Sequence, residues 1–369
     1  MTASSFTRIH WLWEKALARW DRLASLAWRP YSRLYLCGDS AQWVLDEEAR
    51  EWAAVAKRLG IRARWGRSFP EVPSQCAWFS SLDQFLQSPL RESNWRLAAS
   101  YFHGTPGTGE PEFDRRYQAF CDCHEQISRV HVSNRAFRDV VLNTGINADK
   151  VHLIPIGINL SFFHQQTSSS RHLARARFGL PASTVVVGSF QKDGIGWGEG
   201  REPKRVKGPD VLLKALEILH TRIRDLFVLL SGPARGFVKA GLDRRGIPYR
   251  HVFVRKYSEV GQLYQCLDLY IVASREEGGP KAVLESMGSG VPLVATRVGV
   301  AADLVRHGEN GWLAEVEDAE GLAYWAQVAL ESNAVLNTLR AKARATAEAN
   351  TYEAQTPLWR EFMKGFVES

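Results

Sequence analysis

Short apolar runs rich in strand formers recur along the chain, separated by stretches of helical length, and this alternation predicts β-α-β units with parallel sheets. In the first half the runs are RLYLCGD (33–39), CAWFSS (76–81), AASYFHG (98–104), ISRVHVS (127–133) and KVHLIPIGI (150–158). A helical stretch follows the first of them to Leu59, with Gly60 as its stop. In the second half TVVVGSF (184–190), LFVLLSG (226–232), HVFVRK (251–256), LYIVAS (269–274) and VPLVAT (291–296) read the same way. The polar run Gln165–Ser170 is the expected linker, so one Rossmann-like domain is predicted over 31–165 and a second over 171–350. Residues 351–369 read as a terminal helix. At the other end, Ile9, Leu12, Trp13, Ala16, Leu17, Trp20, Leu23, Ala24 and Ala27 recur at helical spacing with Lys15, Arg19 and Arg22 opposite, which predicts an amphipathic basic helix over 1–30.

Length and composition fit this division. A chain of 369 residues, 45% hydrophobic and 24% charged, has enough apolar material for two cores. No run of eighteen apolar residues occurs, so no membrane span is expected. Five scattered cysteines suggest reduced thiols and a cytoplasmic setting. Cys121, Cys123 and His124 read as part of a packed helix rather than a metal clip, because no second ligand pair accompanies them. The net charge of +7 raises the question of an anionic partner. The cations are dispersed and form no nucleic-acid module, so nucleic acid is not expected as a partner. The basic N-terminal helix, with Trp11, Trp28 and the cluster Lys57, Arg58, Arg62, Arg64 and Arg67, instead suits an anionic bilayer, and peripheral association with the inner face of the plasma membrane is expected.

The chemistry concentrates in REEGGPKAVLESMGSG (275–290), between two predicted strands. Glu277 falls in a loop just past a strand's carboxyl end, where ligands of parallel sheets bind. Gly278 and Gly279 supply a flexible turn, and Pro280 suits a first helical position, which would put Glu285 on the second turn. Free N–H groups near Lys281 and Ala282 would then form an anion site.

This segment resembles the E-x7-E signature of retaining glycosyltransferases of family 4. Gly288, Gly290 and Pro292 followed by Leu293-Val294 are similar to that family's small-residue turn and next strand, and HGENGWL (307–313) resembles its G-x-N-G-x-L element. The resemblance implies an α/β GT-B fold: two Rossmann-like domains with parallel sheets facing a central cleft, and a C-terminal helix crossing back to the N-terminal domain. It implies a nucleotide-sugar donor site with Glu277 on the sugar and Glu285 on the ribose, and with Gly188, Ser189, Ser274, Gly278, Gly279, Pro280, Lys281 and Val283 around them. Enzymes of this kind generally neutralise the leaving diphosphate with cationic side chains rather than a bound metal. Lys207-Gly208 matches the family's K-G pair. Ser189 stands where the family commonly has arginine, and Lys192 is the expected substitute, a point charge without the guanidinium fork. His103, at the end of the 98–104 run, matches the place where family members present a histidine to the donor sugar. Asp39 and Ser40, just past the first strand, are expected on the acceptor side.

The expected activity is therefore transfer of a sugar, with retention, from a UDP- or GDP-linked donor to a glycan or lipid-linked acceptor hydroxyl. Cell-surface polysaccharide, lipopolysaccharide or glycolipid synthesis is the expected setting. The His251–Glu259 segment is expected to line the base pocket, and the glycine-rich loop 193–206 reads equally as a surface insertion or a lid. A sugar-nucleotide epimerase and a non-catalytic nucleotide-sugar binder share the architecture and stand as alternatives. A phosphorylase would need a pyridoxal lysine, for which no motif is present.

Overall fold

In a computed structural model, residues 30–38, 44–66, 75–331 and 333–368 are described. The expected N-terminal helix, Arg67, Asp39 and Ser40 lie outside them. The chain forms two compact units. The first contains the described residues up to Val132, Ala136–Ile154 and the residues from Gln355 onward; the second contains Ser133–Arg135 and Pro155–Ala354.

The first unit is built on a six-stranded sheet of order β2-β1-β3-β4-β5-β6. Its strands are β1 (Arg33–Cys37), β2 (Arg62–Gly66), β3 (Cys76–Phe79), β4 (Arg96–Tyr101), β5 (Ile127–Val132) and β6 (Val151–Leu153), each pairing parallel to its neighbours. Strand β2 was not expected, because RARWG carries its charges at alternate positions. Arg62 and Arg64 face solvent while Ala63 is buried, the pattern of an edge strand protected by charge.

The second unit repeats the plan with order β12-β11-β10-β7-β8-β9. These strands are β7 (Val185–Ser189), β8 (Leu226–Leu230), β9 (Tyr249–His251), β10 (Leu269–Val272), β11 (Leu293–Thr296) and β12 (Trp312–Ala314), again all parallel. The expected 251–256 strand contributes only His251 to the sheet. Buried Val, Leu and Ile of β7, β8 and β10 pack on the helices Pro209–Arg222 and Ala319–Glu331 on one face. Tyr270, Val272 and Leu293 pack with the helix Ala282–Ser289 on the other.

The polar run expected as a linker does something else. Thr167 caps the helix Ser168–Phe178: its hydroxyl accepts from Ser170 N at 3.0 Å, and Ser170 Oγ accepts from Thr167 N at 2.9 Å. Serines that read as unstructured polarity are the first turn of a capped helix, and the division between units falls earlier, at Ile154 and Pro155.

After Ala354 the chain rejoins the first unit through the helix Thr356–Met363. Trp359 and Phe362 are buried there against Trp78, with ring centroids 5.1 and 4.6 Å away, and Trp78 stacks on Trp52 at 4.1 Å. His131 sits edge-on to this cluster and is fully buried. The thiol of Cys76 donates to Phe366 O (3.0 Å), and burial pushes that thiol's pKa up to about 12. The helix Pro111–Cys121 ends before Cys123, and no group of three metal-ligating side chains exists among the described residues. No described helix is long and apolar enough to cross a membrane.

Candidate functional site

The second unit gathers polar side chains beyond the carboxyl ends of β7 and β10. Glu277 follows β10 and is 5% exposed. Its Oε1 accepts from three donors: Lys207 Nζ at 2.6 Å, Ser274 Oγ at 2.9 Å and Gln191 Nε2 at 3.1 Å. Its Oε2 accepts from none of the described residues. Lys207 precedes Gly208, which opens the helix Pro209–Arg222 with φ of 59°. A Cβ at Gly208 would lie 1.8 Å from the Ala273 carbonyl oxygen, so only glycine lets the lysine's backbone approach β10 this closely. The same holds across the loop at Gly299 (φ 51°), whose Cβ would meet Glu277 O at 2.1 Å.

Arg275 holds the loop from the other side. Its guanidinium takes Asp210 in a fork (2.8 and 2.8 Å) and reaches Glu317 at 2.7 Å, which raises its own pKa and lowers that of Asp210. Gly278 O accepts from Ser133 Oγ and Asn134 Nδ2, both at 2.6 Å. Glu277 thus sits on a loop anchored at both ends, as a preorganised site requires.

Glu285 lies on the helix Ala282–Ser289, whose N-cap is Lys281. The helix therefore starts two residues later than Pro280 suggested, and Glu285 is in its first turn rather than its second. Tyr257 OH donates to Glu285 Oε1 (2.6 Å) and Tyr264 OH to Oε2 (3.0 Å). Burial holds the Tyr264 hydroxyl's pKa well above its ordinary value, so it stays a donor. The Lys281 ammonium donates to Tyr352 OH at 2.9 Å and lies 5.0 Å from the Tyr257 ring. Val283, expected on the donor side, is instead part of the hydrophobic core, and its amide donates to Pro280 O.

Gly188 and Ser189 are likewise taken up by packing. Gly188 lies against Leu267, and Ser189 is bonded to Arg235 through both its carbonyl (2.6 Å) and its hydroxyl (3.2 Å). Arg235 is the cation that occupies the space beside Ser189, yet it is buried and paired with buried Asp193 at 2.9 Å. Burial pushes the Asp193 carboxyl up while the guanidinium pulls it down. That pair pins the base of the 193–206 loop. Ile195 N bonds to Glu202 O, and Gly194 bridges Pro203, making a small hairpin with Trp197 exposed. Lys192 Nζ stands 3.8 Å over the Trp197 ring.

His103 lies in the first unit, in the turn after β4, half-buried beside Gly104, whose carbonyl accepts from Tyr101 OH at 2.7 Å. The structure thus groups Glu277, Lys207 and Ser274, keeps Glu285 and Lys281 on the adjoining helix, and turns Val283, Gly188 and Ser189 inward. Gln191, Tyr257, Tyr264, Arg235 and Arg275 were not singled out in the sequence. Arg275 lay inside the 275–290 motif and Tyr257 inside the 251–259 segment, but nothing in their spacing distinguishes a side chain that reaches a carboxylate from one that faces water.

Residues 198–331 match the family model described as Glycosyl transferases group 1. The chain is 31% identical over 266 residues to a D-inositol 3-phosphate glycosyltransferase of Corynebacterium diphtheriae, an alignment covering 67% of this chain and 58% of that protein. It is 28% identical over 158 residues, 40% of this chain and 42% of the relative, to a lipopolysaccharide core biosynthesis mannosyltransferase of Rhizobium meliloti. The alignments thus span about half the length of the curated relatives. Among solved structures, Anabaena HepE in complex with UDP and glucose is similar with a TM-score of 0.71 at 17% identity, covering 90% of this chain and 99% of that one. Sucrose-phosphate synthase of Thermosynechococcus elongatus follows at 0.68 and 17%, covering 91% and 100%. With two six-stranded parallel sheets and these neighbours, the fold is GT-B.

Proposed function

We propose that this protein is a retaining glycosyltransferase of the family 4 type, moving a sugar from a nucleotide-sugar donor to a hydroxyl of a glycan or lipid-linked acceptor. The observation that carries the reading is the Glu277 carboxylate, held at a strand's carboxyl end by Lys207 on one oxygen and accepting from no described residue on the other. A fixed acceptor beside a fixed cation suits a sugar whose hydroxyls are held while an anionic group departs.

In the reaction the bond from the anomeric carbon to the diphosphate oxygen breaks and a bond to the acceptor oxygen forms on the same face. The acceptor proton passes to the departing phosphate, so no separate protein nucleophile is needed. Lys207 neutralises the leaving diphosphate, and Lys192 is the second candidate cation. Glu277 holds sugar hydroxyls and stabilises positive charge at the anomeric centre, while Glu285 accepts from ribose hydroxyls. His103 is proposed to contact the donor sugar, and Asp39 and Ser40 the acceptor. These cations make a bound metal unnecessary, so activity retained in EDTA is expected.

The UDP and UDP-glucose complexes of the HepE neighbour favour a uridine donor. The lipopolysaccharide core mannosyltransferase relative favours a surface-glycan acceptor. A thermal-shift screen against UDP-, GDP- and ADP-sugars, followed by product detection, tests the proposal. Stabilisation by one nucleotide class together with sugar transfer supports it; stabilisation without turnover would favour a binding protein. Peripheral association through residues 1–30 is part of the same reading. Liposome sedimentation of the full chain against a form lacking those residues checks it, and equal, negligible binding would end it.

A further inference from the structure

Gln191 follows β7 by two residues, and its amide bridges two parts of the loop after β10. Nε2 donates to Ser274 Oγ at 3.0 Å and to Glu277 Oε1 at 3.1 Å, while Ser274 Oγ donates to the same carboxylate oxygen at 2.9 Å. The three groups form a closed ring of hydrogen bonds. An amide's oxygen and nitrogen are told apart by their partners. Here the partner decides, because an ionised carboxylate only accepts. The NH2 group must face Glu277, and the amide's carbonyl oxygen is turned away, where it accepts from no described residue.

Resting on the glycosyltransferase reading, we infer that Gln191 is a positioning residue that fixes which oxygen of Glu277 meets the donor sugar. Lys207, Ser274 and Gln191 all converge on Oε1, leaving Oε2 as the oxygen that can accept from a sugar hydroxyl. Lys207 alone would not set this. A lysine ammonium is a point charge on a flexible stem and satisfies either oxygen equally after a rotation of the carboxylate. Gln191 and Ser274 approach from the ends of two adjacent strands, and their fixed directions select one rotamer. Oε2 is then the oxygen that takes a hydroxyl of the donor sugar. Deoxygenation at that position would leave an acceptor without its donor.

The test is the variant Gln191→Met, which keeps the length of the side chain and removes both N–H groups and the carbonyl. Three measurements are made on purified full-length protein: the melting temperature, the affinity for the free nucleoside diphosphate, and steady-state turnover of the donor that the wild type uses. Losing one charge-assisted hydrogen bond at the sugar predicts a roughly ten- to hundredfold fall in kcat, with nucleoside diphosphate affinity unchanged within about twofold. Gln191→Glu, which puts a like charge against Glu277, should fall further. Unchanged kcat in Gln191→Met, or a loss of nucleotide affinity equal to the loss of kcat, would overturn the inference, since the first denies any positioning role and the second marks a merely structural one. Wild-type protein that binds nucleotide sugars without turning them over would instead defeat the functional reading on which this inference rests, and the two failures are distinguished before any variant is made.

Discussion

Lys207 Nζ lies 2.6 Å from Glu277 Oε1, a short ion pair in which the carboxylate is almost fully buried and the ammonium is partly exposed. The pair links the helix after β7 to the loop after β10. The buried carboxylate needs a counter-charge, and in the proposed reaction the same ammonium would neutralise the departing phosphate.

Replacing Lys207 by alanine therefore removes two things at once. Turnover should fall by about a hundredfold or more, the scale of losing a principal electrostatic contact at a transition state. The melting temperature should also drop, because Glu277 is left without its cation. Glu277→Gln should recover part of that stability in the double variant, and a thermal-melt double-mutant cycle measures the coupling.

Glu277 and Glu285 should separate kinetically. Glu277→Ala is expected to cut kcat far more than donor affinity, and Glu285→Ala to weaken donor binding mainly, read as KM against kcat and as nucleotide affinity by calorimetry. Tyr257→Phe removes the 2.6 Å bond to Glu285 Oε1 and should loosen nucleotide affinity only about threefold to tenfold, since Tyr264 still holds Oε2.

Arg235→Ala should be among the more destabilising single changes in the second unit. It leaves Asp193 buried without its cation, which costs on the order of 3–5 kcal/mol. Chemical denaturation of Arg235→Ala against Arg235→Met with Asp193→Leu checks the cause: if the unpaired charge is responsible, the double variant is the more stable.

The first unit should lose stability as acidity rises. His131 donates from Nε2 to Ile154 O (2.8 Å) and accepts at Nδ1 from Ser100 Oγ (3.1 Å), a neutral tautomer inside an aromatic cluster. Burial lowers its pKa from 6.5 to about 4. Below pH 6.5 the unfolded chain binds a proton that the folded protein refuses, so the stability from this group is complete above that pH and is lost as pH falls toward 4, by about 3 kcal/mol. Trp52, Trp78 and Trp359 report the melt by fluorescence, and His131→Phe should flatten the slope in that window.

Removing residues 355–369 strips Trp359, Phe362 and Phe366 from the first unit. Each buries an aromatic side chain worth roughly 2 kcal/mol, and Trp52 and Trp78 lose the tilted contact of Trp359 against them. Truncation at Ala354 should leave that unit poorly folded, read by loss of near-ultraviolet dichroism and a lowered melting temperature.

The class of fold was legible in the chain itself, because parallel strands covered on both faces read as nearly continuous apolar runs, and nine of the ten runs that stand clear of their surroundings are strands of the two sheets. The sequence also pointed to the proposed site, since Glu277 with the glycines after it and Lys207-Gly208 are each short motifs placed by a strand end or a helix start. Elements whose identity is not local were not legible. Strand β2 is two arginines alternating with small and aromatic residues, and only its neighbour β1 makes it a strand. The serines at 168–170 became the first turn of a helix, with Thr167 as its cap exchanging hydrogen bonds with Ser170. Tertiary structure alone decided that Arg235 fills the space beside Ser189 and neutralises Asp193, that Tyr257 and Tyr264 take both oxygens of Glu285, and that Gln191 reaches Glu277. Those contacts join residues 21 to 86 positions apart, and the direction of a side chain is set by what packs around it rather than by its place in a motif.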